Sequence, residues 1–280
     1  MKVNNPVAYD LSYRAVNLQS GHERTEEEID YICAHIKSIL GCQVTKVNPV
    51  QPTGWLAYRD KIEAILFHCK YSNQNRQDEN DFWIWIKNKK QVLGKLYPIT
   101  INSVTNDKEI ELLTEWRRSA QSYFPTQFSV SLAGTTTWLE KQLLQKNDRI
   151  LFMVKNLDNV PIGHIGLFRF NYQKRFCELD NIIRGNNNLF PGAMTYACNS
   201  LLDWAFTTLA VSTIYLRVVS DNIPALKLYQ RLGFKEIQRI PLIKIAENND
   251  TRWIELIGNP YYEVQRYSIT MKLEKAEWLG

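Results

Sequence analysis

The stretch from residue 176 to 234 holds the residues whose types and spacing most suggest chemistry. It opens with an apolar strand pattern, FCELDNIIR, followed by a glycine-containing loop and the helix start LFPGAMTYA. The start of a helix leaves backbone N–H groups without partners and carries the positive end of the helix dipole. This arrangement predicts a phosphate or pyrophosphate site, although many α/β proteins contain such a turn for packing alone.

Two further spacings stand out in the same stretch. The segment NIPALKLYQRLGF places Asn222, Ala225 and Tyr229 at N-x-x-A-x-x-x-Y spacing. Ala225 and Tyr229 are four residues apart, so they share one helix face. On the strand before the loop, Glu178 and Asp180 are two residues apart and share one strand face. The plainest interpretation is a short amphipathic helix with a packed tyrosine, next to a solvated strand face.

The elements that must position these residues alternate between helices and strands. The order is typical of an α/β sheet with a mixed strand arrangement. The patterns predict helices at 109–123, 135–146, 193–209 and 224–232, and strands at 149–156, 162–171, 176–184, 213–220 and 234–245.

The first hundred residues read as a small α+β unit without a catalytic signature. Residues 23–40 predict a helix that begins with the capping-box pair Thr25 and Glu28. Strands are predicted at 42–47, 55–58, 63–71 and 82–87.

Composition excludes several classes of protein. A chain of 280 residues with 45% apolar and 22% charged residues is neither collagenous nor disordered. The net charge of +5 is spread evenly, so no nucleic-acid partner is expected. The five cysteines are scattered without metal-site spacing, which favours a reducing compartment. The N-terminal MKVNNPVAYD has no apolar run, and no stretch is long enough to cross a bilayer, so we expect a cytoplasmic protein without membrane insertion.

Residues 149–240 resemble the acyl-CoA-dependent N-acyltransferases related to the histone acetyltransferase Gcn5, the GNAT superfamily. With flanking elements the resemblance extends over about 106–280, and the Asn222…Ala225…LYQRLGF segment is its most specific part. It implies an α/β (α+β) fold with a mixed sheet flanked by helices, acyl-CoA as cosubstrate and no metal. It further implies that Asn222 and Ala225 contact CoA and that Tyr229 protonates the departing thiolate.

The pyrophosphate loop of this superfamily reads Q/R-x-x-G-x-G/A, and the corresponding stretch here is NNLFPGAM. It lacks the second glycine, and Pro191 removes one N–H donor. The resemblance implies that the main chain of Ile182 and Ile183 meets the pantetheine and the acyl carbonyl. It implies phosphate contacts by the backbone amides of Leu189, Phe190, Gly192, Ala193 and Met194.

Amide formation also needs a group that accepts a proton from the amine. Asp180 is the first candidate and Glu178 the second, and His164 on the preceding strand is an alternative. The string ELDNIIRG…PGAM…LRVVSDNIPALKLYQRLGF resembles the branch that acylates nucleotide-linked aminodeoxysugars for bacterial surface polysaccharides. This resemblance implies a 3- or 4-amino-dideoxyhexose on dTDP as acceptor and an acetyl or longer acyl group. The candidate acceptor contacts are Asn181, Arg184 and His164.

The chain is therefore predicted to contain two domains. A small α+β domain at 1–105 would cover the acceptor or build an oligomer such as a homodimer, and a GNAT-like N-acyltransferase domain would occupy 106–280. Two alternatives stay open. One is a GNAT acetyltransferase that acts on a protein or another small-molecule amine, and the other is a non-catalytic CoA-binding protein.

Overall fold

A computed structural model describes residues 54–71, 82–88, 91–124, 126–127, 129–185, 192–247, 250–256 and 264–280. The chain divides into two compact units, residues 1–53 and 54–280, and every described residue belongs to the second. The predicted helix at 23–40 and the predicted strand at 42–47 lie outside the described residues.

Helix α1, Gly54–Tyr71, corrects the two strands predicted at 55–58 and 63–71. Tyr58, Ile62, Leu66 and Cys69 are all buried, and their spacing of three to four residues is that of one helix face. Ile62 and Leu66 are fully buried in the main hydrophobic core. The apolar residues of this segment fit both the two-residue period of a strand and the 3.6-residue period of a helix. Packing against the sheet favours the helix.

A ten-stranded sheet forms the centre of this unit, in the order β1-β2-β4-β5-β6-β7-β10-β8-β9-β3. Neighbouring strands run antiparallel except for β6 and β7, which are parallel. The strands are β1 Ile84–Lys87, β2 Val92–Pro98, β3 Thr126–Gln127, β4 Ile150–Asn156, β5 Pro161–Asn171, β6 Phe176–Arg184, β7 Thr213–Val219, β8 Lys235–Glu247, β9 Asp250–Glu255 and β10 Arg266–Glu274.

Helices flank this sheet, so the predicted fold class, a mixed α/β sheet with flanking helices, is confirmed. Asn106 caps the helix Asp107–Ser119 by accepting from the amide of Glu109 at 3.4 Å, and Ser131 caps the helix Leu132–Trp138 by accepting from the amide of Gly134 at 3.1 Å. The helices are α2 Asp107–Ser119, α3 Leu132–Trp138 with a π-helical continuation Leu139–Leu144, α4 Ala193–Thr207, α5 Ile223–Arg231 and α6 Lys275–Leu279, with 3₁₀ turns at Ile101–Thr105 and Gln121–Tyr123.

The sheet extends across the predicted domain boundary at residue 105. Strand β2 pairs with β4, and α1 contributes to the same core as α4 and β7. The described residues between 54 and 98 thus belong to the sheet that carries the predicted site or pack against it. The prediction of a separate N-terminal domain also covers residues 1–53, which are not described, and stays a prediction. Among the described helices, none is both long and apolar enough to span a membrane.

Candidate active site

The cleft of the predicted site opens where β6 and β7 separate. The two strands pair only from Phe176 to Glu178, opposite Thr213 to Tyr215. Beyond these pairs, β6 leads toward α4 and β7 leads into α5. A cleft of about 530 Å³ lies there, and its lining includes Ile182, Ile183, Arg184, Gly192, Ala193, Met194, Thr195, Asn222, Ala225 and Tyr229. The structure therefore brings together most of the residues assigned to the cofactor.

A bulge shapes the strand on one wall of this cleft. The register between β5 and β6 shifts by one residue around Asn181, which adopts a left-handed φ of 51°. The Asp180 carboxylate accepts a hydrogen bond from the Asn181 amide at 2.6 Å, and His164 Nδ1 meets the Asn181 carbonyl oxygen at 2.6 Å. Both contacts hold the bulge and thereby aim the following residues of β6 at the cleft.

His164 lies beneath the bulge, with only 1% of its surface exposed. Burial lowers its pKa to about 4, although the hydrogen bond to Asn181 acts in the opposite direction. Because a carbonyl oxygen can only accept, a neutral His164 carries its proton on Nδ1. This geometry supports a role in positioning β6. The base and acceptor-contact roles of His164 stay predictions, and His164 does not belong to the cleft lining.

Glu178 and Asp180 share one strand face, and both bind the guanidinium of Arg169. Arg169 reaches Glu178 at 2.7 Å and also pairs with Asp180, while Arg217 meets Glu178 at 3.2 Å. Burial lowers the pKa of Arg169, but the two carboxylates outweigh that effect and raise it overall. The acidic pair is thus engaged in ion pairs with arginines. A base role for either residue requires it to accept a proton while paired with arginine, and it stays a prediction.

Tyr229 lines the cleft and is 8% exposed. Its pKa is raised, first by burial and then by the neighbouring Cys198 and Asp180. The phenol therefore stays protonated at neutral pH, which is the state that a proton donor needs.

The amino end of α4 offers backbone donors to the cleft. Gly192 precedes the helix in a left-handed conformation with φ of 79°, which L-residues rarely adopt, and contributes no side-chain cap. The first amide bonded within the helix is that of Tyr196, to the Gly192 carbonyl at 3.1 Å. The amides of Ala193, Met194 and Thr195 are thus the ones that face an anion at this end. Leu189 and Phe190, predicted to share this task, lie outside the described residues.

The amino end of α5 reaches the same cleft but is more fully capped. The Asn222 side chain accepts from the Ala225 amide at 3.3 Å, and Pro224 has no N–H to donate. Asn222 is therefore a helix cap in this structure. Its predicted contact with CoA, like that of Ala225, stays a prediction that their place on the cleft allows.

Residues 99–235 match the model of the acetyltransferase (GNAT) domain. This part of the chain, just under half of its length, is similar to that family. The match and the curated relatives support the predicted acyl-CoA-dependent N-acyltransferase.

One curated relative is the spermidine N(1)-acetyltransferase of Vibrio cholerae, 35% identical over 85 residues, which are 30% of this chain and 49% of the relative. Another is the acetyltransferase PseH of Campylobacter jejuni, 29% identical over 132 residues, which are 46% of this chain and 78% of the relative. The chain thus spans about half the length of the first relative and more of the second.

A solved structure shares its fold with about two thirds of this chain. It is the Vibrio cholerae spermidine N-acetyltransferase in complex with CoA and spermine, with a TM-score of 0.51 and 20% identity. The similarity covers 66% of this chain and 97% of that structure.

The sequence did not single out the opposite wall of the cleft. This wall consists of Ser119 and Ala120 at the end of α2 and of Tyr123, which is 42% exposed. Arg231 of α5 is a second arginine on the cleft besides Arg184. Among the described lining residues there is no carboxylate.

Arg266 of β10 ties the two walls of the cleft together. Its Nη1 donates to the Ser122 carbonyl at 3.3 Å, and its Nη2 pairs with Asp221, the residue before Asn222. The guanidinium also lies 4.5 Å from the centre of the Trp253 ring. Arg266 stands 31 residues after the last residue of the domain match, at 235, so no local pattern could have linked it to the site.

Proposed function

We propose that the GNAT domain transfers an acyl group from acyl-CoA to an amine in the cleft between β6 and β7. One observation carries this proposal: the separation of these strands places the free amides of α4 and the protonated Tyr229 on one cleft. The pyrophosphate lies on the amides of Ala193 to Thr195, and the pantetheine lies along Ile182 and Ile183.

The reaction is a direct attack. The amine nitrogen forms a bond to the thioester carbon and the carbon–sulfur bond breaks. Tyr229 gives its proton to the departing thiolate. The amine gives its proton to Asp180, Glu178 or His164 through water, because none of these three side chains belongs to the cleft lining. A main-chain N–H of Ile182 or Ile183 stabilises the carbonyl oxygen while it is anionic.

A charge introduced at Thr195 tests the phosphate site. Thr195→Glu places a carboxylate in the first turn of α4, where it favours the helix dipole but repels a pyrophosphate. We expect the melting temperature to stay equal or rise while the Kd for CoA increases by about tenfold or more. Thr195→Gln, which has the same shape without the charge, is the matched control. An equal Kd in the Glu and Gln variants would place the cofactor phosphates elsewhere.

For the acceptor we propose a nucleotide-linked aminodeoxysugar, with a 3- or 4-amino-dideoxyhexose on dTDP as the first compound to test. The charge of the cleft supports this class, because Arg184 and Arg231 suit phosphates and the described lining has no carboxylate. Exposed Tyr123 offers an aromatic face on which a pyrimidine base can stack.

A polyamine is the second candidate, because one relative is a spermidine N(1)-acetyltransferase. A polycation gains little from a cleft lined by arginines, so the charge of the cleft disfavours it. Turnover by the full-length protein at saturating acetyl-CoA separates the candidates. We expect a higher kcat/KM for an aminosugar nucleotide than for spermidine, and the reverse order would assign the domain to polyamines.

A further inference from the structure

Arg117, near the carboxyl end of α2, is a buried cation whose side chain is not part of the cleft lining. Only 8% of its surface is exposed, and its guanidinium stacks 4.2 Å from the centre of the Trp138 ring on α3. Ser119, the last residue of α2, and Ala120, its C-cap, line the cleft. Trp116, the residue before it, packs over Gly185, directly after β6.

The Arg117 guanidinium has no anionic partner within the part of the chain that the structure describes. Its Nε is fully buried without a hydrogen bond, and none of the ion pairs among these residues includes it. Arg118, its exposed neighbour, instead bonds the Val130 carbonyl at 3.3 Å. A buried charge without a counter-charge is costly, and stacking on an aromatic ring offsets only part of that cost.

A second polar group without a partner lies on the facing helix. The hydroxyl of Thr135 on α3 is buried, has no hydrogen bond, and belongs to a residue that is 1% exposed. Thr135 stands three residues before Trp138, so both lie on the same side of α3, and α2 packs against that helix. The charge of Arg117 is also felt at His164, whose pKa it helps to lower after burial.

We propose that Arg117 and Thr135 form a subsite for an oxyanion of the acceptor, which in a nucleotide-linked sugar is its diphosphate. Arg117 supplies the charge and a planar set of donors, and the Thr135 hydroxyl supplies a further donor. The subsite gives the domain a reason to prefer an anionic acceptor over a polyamine, since an unpaired arginine repels a polycation. This inference rests on the proposed function, and deepens it by naming the group that is recognised.

The test measures binding of dTDP by calorimetry to protein saturated with CoA, so that the cofactor phosphates already occupy their own site. Arg117→Met keeps a long apolar side chain against Trp138 and removes the charge. We expect its Kd for dTDP to rise by about tenfold or more, as for loss of a charge-assisted contact. Arg117→Lys keeps the charge but loses the planar set of donors, so we expect its Kd for dTDP to lie between those of wild type and Arg117→Met. Arg118→Met is the matched control, with Kd values for dTDP and CoA close to wild type.

Two outcomes overturn the subsite: a Kd for dTDP in Arg117→Met within about twofold of wild type, or an equal loss in Arg118→Met. If Arg117→Met fails to unfold cooperatively, Thr135→Val replaces it, since this variant removes the hydroxyl with little change in volume. Weaker dTDP binding with an equal or higher melting temperature then supports the subsite, and unchanged binding refutes it.

The same experiment separates this inference from the proposed function. Acyl transfer by a wild-type protein that does not bind dTDP would leave the transfer reaction standing and remove the subsite. If the protein transfers no acyl group but binds dTDP in a way that depends on Arg117, the subsite would stand and the transfer reaction would be refuted.

Discussion

Replacing Tyr229 with phenylalanine removes the hydroxyl group of a side chain that lines the cleft and leaves the aromatic ring in position. The ring packs edge-on against Phe234, with centroids 6.2 Å apart, and α5 keeps its Asn222 cap. The fold therefore loses little, and we expect a change in the free energy of unfolding below about 1 kcal/mol. The effect should fall on the chemical step.

The magnitude follows from what the hydroxyl does. Burial raises the pKa of Tyr229, so the group is protonated throughout the range in which the enzyme is assayed. The same low-polarity surroundings disfavour a free thiolate, so the departing sulfur needs a proton when the carbon–sulfur bond breaks. A positioned general acid typically contributes about 10²–10⁴-fold. A hundredfold loss in kcat corresponds to about 2.7 kcal/mol in the barrier.

The assay is release of CoA thiol from acetyl-CoA at saturating acceptor, beside calorimetric binding of CoA. We expect kcat of Tyr229→Phe to fall by about a hundredfold or more while the Kd for CoA changes little. A loss of less than tenfold in kcat would refute the general-acid role. A matching loss in CoA affinity would assign Tyr229 to cofactor binding instead.

Three further predictions concern the frame around the site. Gly185→Ala places a methyl group inside the indole ring of Trp116, so we expect it to lower the free energy of unfolding in urea by about 1–3 kcal/mol. Gly54→Ala is the control, because its added methyl meets no atom within 4 Å, and we expect it to be neutral or stabilising. Arg266→Met removes the contacts of Arg266 with Ser122 and Asp221 on the two walls of the cleft. We expect the KM values for acyl-CoA and acceptor to rise several-fold and the free energy of unfolding to fall by about 1–3 kcal/mol. Unchanged KM values would contradict this expectation. Burial lowers the pKa of Lys70 from 10.5 to about 8, so the folded state holds fewer protons than the unfolded state between these two pH values. We therefore expect the free energy of unfolding in urea to rise with pH from about 8 to 10.5, relative to Lys70→Met. Parallel curves of unfolding free energy against pH for the two proteins would contradict the lowered pKa.

The central layers of the fold followed from local patterns, and α1 did not. Strands β4 to β7 and helices α4 and α5 have single, clear periods, so their predictions are confirmed to within a few residues. Residues 54–71 contain apolar positions that fit a strand over short windows and a helix over the whole segment. The fully buried Ile62 and Leu66 show that the longer period governs the packing.

The site was predictable where one segment supplies it and not where distant segments meet. Tyr229, Ala225 and the start of α4 could be read from a continuous stretch. The pairing of Arg169 with Glu178 and Asp180 depends on a shift in register between β5 and β6, which no local sequence pattern reveals. The role of Arg266 depends on a strand that lies beyond residues 99–235, the part of the chain that matches the family model.

Transfer of an isotope-labelled acetyl group from acetyl-CoA tests the central claim most directly. The wild-type protein is incubated with labelled acetyl-CoA and a dTDP-linked aminodideoxyhexose, and the product is analysed by mass spectrometry. We predict that the label appears in an amide on the sugar nitrogen, and that its rate of appearance falls by about a hundredfold or more in Tyr229→Phe. Labelled product formed equally fast by wild type and Tyr229→Phe, or CoA release without any labelled amide, would contradict the account.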